Sequence, residues 1–145
     1  MRAVLQRVSQ ARVLVSGEEV GAIGTGWAIF LGIGPEDDEA SATRLVDKVV
    51  KLRAFEDSQG KMNLSVEDVG GELLVISQFT LYADLSHGRR PSFVGAAPPA
   101  QAEVLVTRVV DFFRARGLRV ATGRFGALMD VELTNHGPVT FVLTA

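Results

Sequence analysis

No cysteine occurs in the 145 residues, and that absence removes a disulfide framework, a thiolate nucleophile and a cysteine-ligated zinc site together. Histidine is nearly as scarce. His87 and His136 stand far apart and share no HxH or HxxxH spacing, so a dedicated metal site is not expected. No apolar run approaches the roughly 20 residues of a membrane-spanning helix; the longest, WAIFLGI, begins at Trp27 and ends at Ile33. The first residues place Arg7 early and offer no apolar block before a small-residue cleavage site, so no secretory signal is expected and the cytoplasm is the default location. A net charge of −2 argues against a protein that coats nucleic acid indiscriminately.

What the chain does hold is apolar material, 47% of its residues, enough for one core in a length too short for two. The expectation is a single domain over residues 1–145. VLQRV and RVLV near the start read as strands, SGEEVGAIG as a turn and return strand, and WAIFLGI as a strand buried on both faces. GPEDDEASATRLVDKVVKLRAF has acidic residues ahead of Leu45, Val46, Val49 and Val50, the stripe of a helix, with Lys51 and Arg53 at its end. Residues 56–71 read as loop with one short strand, and ELLVISQFTLYA as a central strand. A long irregular connection leads to a second helix within PPAQAEVLVTRVVDFFRARG, which has Pro99 near its start and Gly117 past its end. LRVAT, MDVELT and VTFVLT read as closing strands. The order predicts an α/β domain with two main helices on one side of two β-sheets or of a partly closed barrel.

Several residues invite a chemical reading. Ser77, Thr80, Asp84 and His87 contain the types of a hydrolytic triad, but a triad is a geometry and the spacing does not establish one. Gly32 and Gly34 form a GxG that lacks the rest of a dinucleotide-binding pattern. SQFTL puts Ser77, Gln78 and Thr80 around Phe79 near a strand end; those polar side chains either serve a site or satisfy local backbone groups. Gly137-Pro138 pairs a residue free in φ with one fixed in φ, immediately before VTFVLT. Such a corner either starts a strand or holds two carbonyls in set directions. Charge is uneven: residues 85–129 carry seven arginines against Glu103 and Asp111, which suits a phosphate backbone or a solvated surface.

SQFTL at 77–81 and NHGPVT at 135–140, together with QRV near the start, GKMNLS at 60–65, RPSF at 90–93 and TGRFGALM at 122–129, give the chain a nearly full-length resemblance to the D-aminoacyl-tRNA deacylase family. The resemblance implies a three-layer α/β/β fold, a homodimer with each site at the subunit interface, and no metal or organic cofactor. It implies hydrolysis of the ester between a D-amino acid and the terminal adenosine of a tRNA, with clearance of mischarged glycine as well. Ser77, Gln78, Phe79 and Thr80 would line the catalytic pocket. Gly137 and Pro138, joined by a cis bond, would reach from one subunit into the other's pocket and exclude an L side chain, braced by Arg7. Asn135 and Met129 fall in the same motifs as substrate-side residues. Arg89, Arg90, Arg114 and Arg116 are the candidates for the tRNA acceptor end, and no membrane partner is expected.

Two rivals remain open. A non-catalytic dimeric module would capture a D-amino acid or glycine without turnover. A conventional Ser or Thr esterase would need His87 or His136 as its base.

Overall fold

Fourteen residues, Arg2–Val15, form β1, the strand from which the sheet of this computed structural model of residues 1–145 is built. One edge of β1 pairs along its length with β8, Asp130–Thr144. The other edge pairs first with β3, Gly26–Gly32, and then with β2, Glu18–Ile23, all antiparallel. β3 continues in parallel to β6, Glu72–Ser77, and β6 to β7, Val120–Thr122. The six strands nearly close into a barrel because β2 meets β7. At the seam, a Cβ on Gly21 would collide with the Thr122 carbonyl oxygen, so only glycine allows that approach. A second, two-stranded sheet joins β4, Phe55–Glu56, to β5, Met62–Leu64.

The helices form a separate layer over one face. α1, Glu39–Lys51, buries the expected stripe of Leu45, Val46, Val49 and Val50. Asp38 caps it, accepting from the Ser41 N–H at 2.8 Å, and those bonds hold the Asp38 carboxyl below its ordinary pKa. α2, Pro99–Ala115, begins on its proline and buries Leu105, Val109, Val110 and Phe113. Trp27, Ile29 and Leu31 of β3 and Leu73 and Val75 of β6 meet this helical layer. The opposite faces, Ala28, Leu74 and Ile76, point into the barrel with Val8, Val13 and Ile23. β3 is thus apolar throughout because both of its faces are covered.

Four expectations change. VLQRV and RVLV are one strand, interrupted only by a bulge: Val8 pairs with Asn135 and Gln10 with Thr134, leaving Ser9 as an extra residue. The bulge reverses the alternation, so Ala3 and Leu5 pack toward the helices whereas Ala11 and Val13 pack inside the barrel. β6 stops at Ser77, and Phe79–Tyr82 is a 3₁₀ turn rather than more strand. MDVELT and VTFVLT are likewise one strand that runs through the Gly-Pro pair. The 56–71 region takes part in two short strands instead of one, β4 entering it at Glu56 and β5 lying within it.

Phe113 is fully buried between α2 and the sheet. Phe113→Ala should lower the unfolding free energy by about 3–5 kcal/mol, read as a shifted urea midpoint at unchanged slope.

Candidate active site

Two groups of residues stand out, and the first lies on β8. Gln6 pairs with Thr140 and Val8 with Asn135, so β1 supplies only Arg7 where β8 supplies His136, Gly137, Pro138 and Val139. The surplus loops out of the ladder. The Gly137–Pro138 bond is cis, and Gly137 has φ +141°, a region L side chains rarely adopt. A Cβ there would stand 2.7 Å from Val139 Cγ2 and 3.2 Å from an Arg7 guanidinium nitrogen. Glycine is therefore required twice over, by conformation and by space.

Side chains on both flanks fix this loop. Arg7 Nε donates to the His136 carbonyl at 2.9 Å, and Nη1 donates to the Ala54 carbonyl at 2.7 Å. Glu56 stands 3.6 Å from Nη2. Asn135 Oδ1 accepts from the Val139 N–H at 2.8 Å, and Asn135 Nδ2 donates to Thr140 Oγ1 at 3.0 Å. Val139 is buried, which leaves Gly137 and Pro138 exposed at the tip.

The second group surrounds the end of β6. Ser77, Gln78 and Phe79 line a groove of about 490 Å³ whose other walls are Phe93, the Ala96–Pro99 segment, α2 and Phe125. Phe79 is 56% exposed yet packs edge to face against Phe93 at 4.9 Å between ring centres. So open an aromatic pair marks a surface built to receive something flat or apolar. Thr80 lies just outside the groove, and its hydroxyl accepts from Gln78 Nε2. No basic side chain hydrogen-bonds to it. Met129 packs half-buried against the barrel core, with its sulfur accepting from the Arg124 N–H at 3.4 Å.

The two groups do not share a cavity in one chain. Arg2 Nη1 donates to the Leu81 carbonyl at 3.0 Å, tying the 3₁₀ turn to one end of β1, whereas Arg7 ties the corner five residues further along. At about 3.3 Å per residue those anchors are about 17 Å apart.

Within one chain, neither histidine completes a Ser or Thr triad. His87 is 92% exposed, and its Nδ1 faces both Ser86 Oγ at 2.7 Å and Asp84 at 3.9 Å. A triad histidine bridges its partners with two different nitrogens. Ser86 also donates to Asp84, holding that carboxyl below its ordinary pKa, as in a plain polar turn. His136 is exposed at the corner, away from Ser77 and Thr80. No group of three or more His, Asp or Glu side chains is placed to hold a metal ion, and no helix is long and apolar enough to cross a membrane.

Pairing also redistributes the basic segment. Arg108 binds Glu39, Arg116 binds Asp47 and Arg119 binds Glu72, while Arg114 donates to the Val120 carbonyl at 3.2 Å. Arg89, Arg90 and Arg124 are left exposed and without an acidic partner, in the segments that carry Phe93 and Phe125 into the groove. Sequence reasoning missed Phe93 and Phe125 as groove walls, although both lie in motifs it quoted.

A family model described as D-Tyr-tRNA(Tyr) deacylase matches residues 4–144. Among relatives, the D-aminoacyl-tRNA deacylase of Desulfatibacillum aliphaticivorans is 56% identical over 143 residues, covering 99% of this chain and 98% of that protein. The protein of the same name from Azotobacter vinelandii is 52% identical over the full length of both. Among solved structures, one described as c-Myc DNA Unwinding Element Binding Protein is 41% identical with TM-score 0.93, covering 100% of this chain and 99% of that one. A probable eukaryotic D-amino acid tRNA deacylase, 19% identical with TM-score 0.86 over 99% of this chain and 98% of that one, shares the fold.

Arg7→Met keeps the apolar stem but strands the Ala54 carbonyl without its buried donor. A loss of about 2–3 kcal/mol is expected, with hydrogen exchange at Val139 and Thr140 rising more than in α2.

Proposed function

The chain belongs to the D-Tyr-tRNA(Tyr) deacylase family, and on that premise we propose that it hydrolyses the ester joining a D-amino acid, or glycine, to the terminal ribose of a tRNA. The observation that carries this reading is the groove at Ser77–Phe79. It is apolar and aromatic within, and it is bordered by segments bearing three unpaired cations. That combination suits a nucleoside on a phosphate chain: the aromatic edge takes a base or ribose face, and Arg89, Arg90 and Arg124 meet phosphates without reading sequence.

Chemistry at this site is hydrolysis by water. Thr80 has no base to activate it, since its hydroxyl is occupied by Gln78. Phe79 and Thr80 open the 3₁₀ turn, where the first N–H groups have no carbonyl within the turn and no side chain caps them. Aimed at the ester, those donors stabilise the oxyanion formed as water adds to the carbonyl carbon. The C–O bond to the ribose then breaks, releasing the amino acid and a ribose hydroxyl, with the neighbouring 2′-hydroxyl assisting.

The stereochemical filter is the corner at Gly137–Pro138. The roughly 17 Å along β1 keeps it from its own groove, so the corner serves a second protomer's groove in a homodimer. Its exposed tip presents main-chain carbonyls to the substrate's α-amino group and fills the space an L side chain needs. Selection is by collision with fixed backbone, which glycine escapes. Arg7 and Asn135 hold that backbone, and Met129 supports the strand that carries it.

Chelator-treated protein should release D-tyrosine from D-tyrosyl-tRNA rapidly and leave L-tyrosyl-tRNA intact. Saturable binding with no release would convert the reading into the binding-module alternative. Thr80→Ala should retain most of the activity; abolition in a folded dimer would make Thr80 the nucleophile. Replacing both Arg89 and Arg90 by Gln should weaken tRNA binding at low salt and flatten the log–log salt dependence by about one for each phosphate no longer neutralised.

A further inference from the structure

The Gly32-Ile33-Gly34 segment, unexplained as a nucleotide signature, leads out of β3 into a loop ending at Asp37. Both glycines are there because the 3₁₀ turn presses on them. A Cβ on Gly34 would stand 2.8 Å from the Tyr82 hydroxyl oxygen and 2.9 Å from two of its ring carbons. On Gly32 it would stand 3.0 Å from the Gln78 carbonyl oxygen and 3.1 Å from Leu81 Cβ. The Tyr82 hydroxyl donates to Asp37 Oδ2 at 3.3 Å, and the same oxygen accepts from the Gly34 N–H at 2.7 Å. Asp37 Oδ1 is taken by the Met1 amine, which leaves the carboxylate nearly covered. Arg2 stacks on the other side of the tyrosine, 4.4 Å from the ring centre.

The same loop grips the opposite wall of the groove. The Ala97 N–H donates to the Ile33 carbonyl at 2.9 Å, and Gln101 Nε2 donates to the Pro35 carbonyl at 3.0 Å. Residues 32–37 therefore bridge the turn that carries Phe79 and the segment that enters α2. We propose that Tyr82 and Asp37 are positioning residues of the active site, whose hydrogen bond sets the Phe79–Thr80 turn at its working distance from the Ala97 wall. This rests on the deacylase reading above. Burial, and then the nearby Asp37 charge, raise the pKa of Tyr82, so its hydroxyl remains a donor throughout the neutral range.

Tyr82→Phe keeps the ring against Gly34 and removes only the donor; Asp37→Asn keeps the shape and changes the acceptor. Single-turnover deacylation of D-tyrosyl-tRNA should slow about tenfold in either variant, with the half-saturating concentration changed less than about twofold. Asp37→Asn also loosens the Met1 amine and the Gly34 N–H, so the double variant should be slower than Tyr82→Phe alone, but by less than the product of the two single losses, because the Tyr82–Asp37 bond is shared between them. Deuterium exchange over residues 78–83 should rise in Tyr82→Phe while residues 133–141 stay as in the parent. Unchanged rate and exchange, a loss confined to half-saturation, or additive losses would each overturn the proposal. Should Asp37→Asn not fold, Tyr82→Phe alone decides by the same readouts. A parent protein that releases nothing from D-tyrosyl-tRNA sinks the deacylase reading, and the exchange comparison still tests the positioning contact.

Discussion

Arg7 is 4% exposed and pairs with the buried Trp27 in the sheet. A cation in that place is tolerable only if nearly every N–H finds an acceptor, because an unpaired buried charge costs several kcal/mol by order of magnitude. A regular ladder has no carbonyl to spare, since each one already serves the neighbouring strand. The structure frees two. Looping out His136–Val139 turns the His136 carbonyl toward Nε, and the end of α1 at Leu52 releases the chain so that the Ala54 carbonyl meets Nη1. The buried arginine, the exposed corner and the helix terminus are consequences of one requirement.

That requirement explains why the corner is made of backbone. A side chain at the tip would rotate among staggered states and leave the space it guards partly open. Gly137 and Pro138 have no such freedom. Their neighbours are bound on both sides, through Arg7 before the tip and through Asn135 to Val139 after it. The proposed exclusion of one enantiomer would need an obstacle that does not yield, and a loop tied at both ends meets that need.

Much of this was legible in sequence, and the failures share a cause. The α1 stripe at Leu45, Val46, Val49 and Val50 was readable because helical periodicity is local. The double burial of β3 was readable because an unbroken apolar run leaves no face for water. Splitting β1 at Ser9 and β8 at Gly137 went wrong because a bulge changes register without ending the ladder, and composition at such a point looks like a turn. The basic segment could not be reduced to its free members in sequence, because Glu39, Asp47 and Glu72 reach Arg108, Arg116 and Arg119 only through the tertiary fold. Gly32 and Gly34 read only as an incomplete dinucleotide-binding pattern, because Tyr82, which crowds Gly34, arrives from a distant part of the chain.

One strand carries the fixings of both the groove and the corner. Arg2 holds the 3₁₀ turn through the Leu81 carbonyl, and Arg7 holds the corner through the His136 carbonyl. Between them lies a stretch of β1 paired on both edges. The offset between groove and corner is therefore a property of one ladder and not of loops that adjust separately. In the proposed dimer, a two-fold axis makes the reach from each corner to the opposite groove identical. The docking geometry then has a single distance to satisfy for both sites. A chain that kept groove and corner on separate flexible loops would have to order each of them at every binding event, at an entropic cost that β1 has already met during folding.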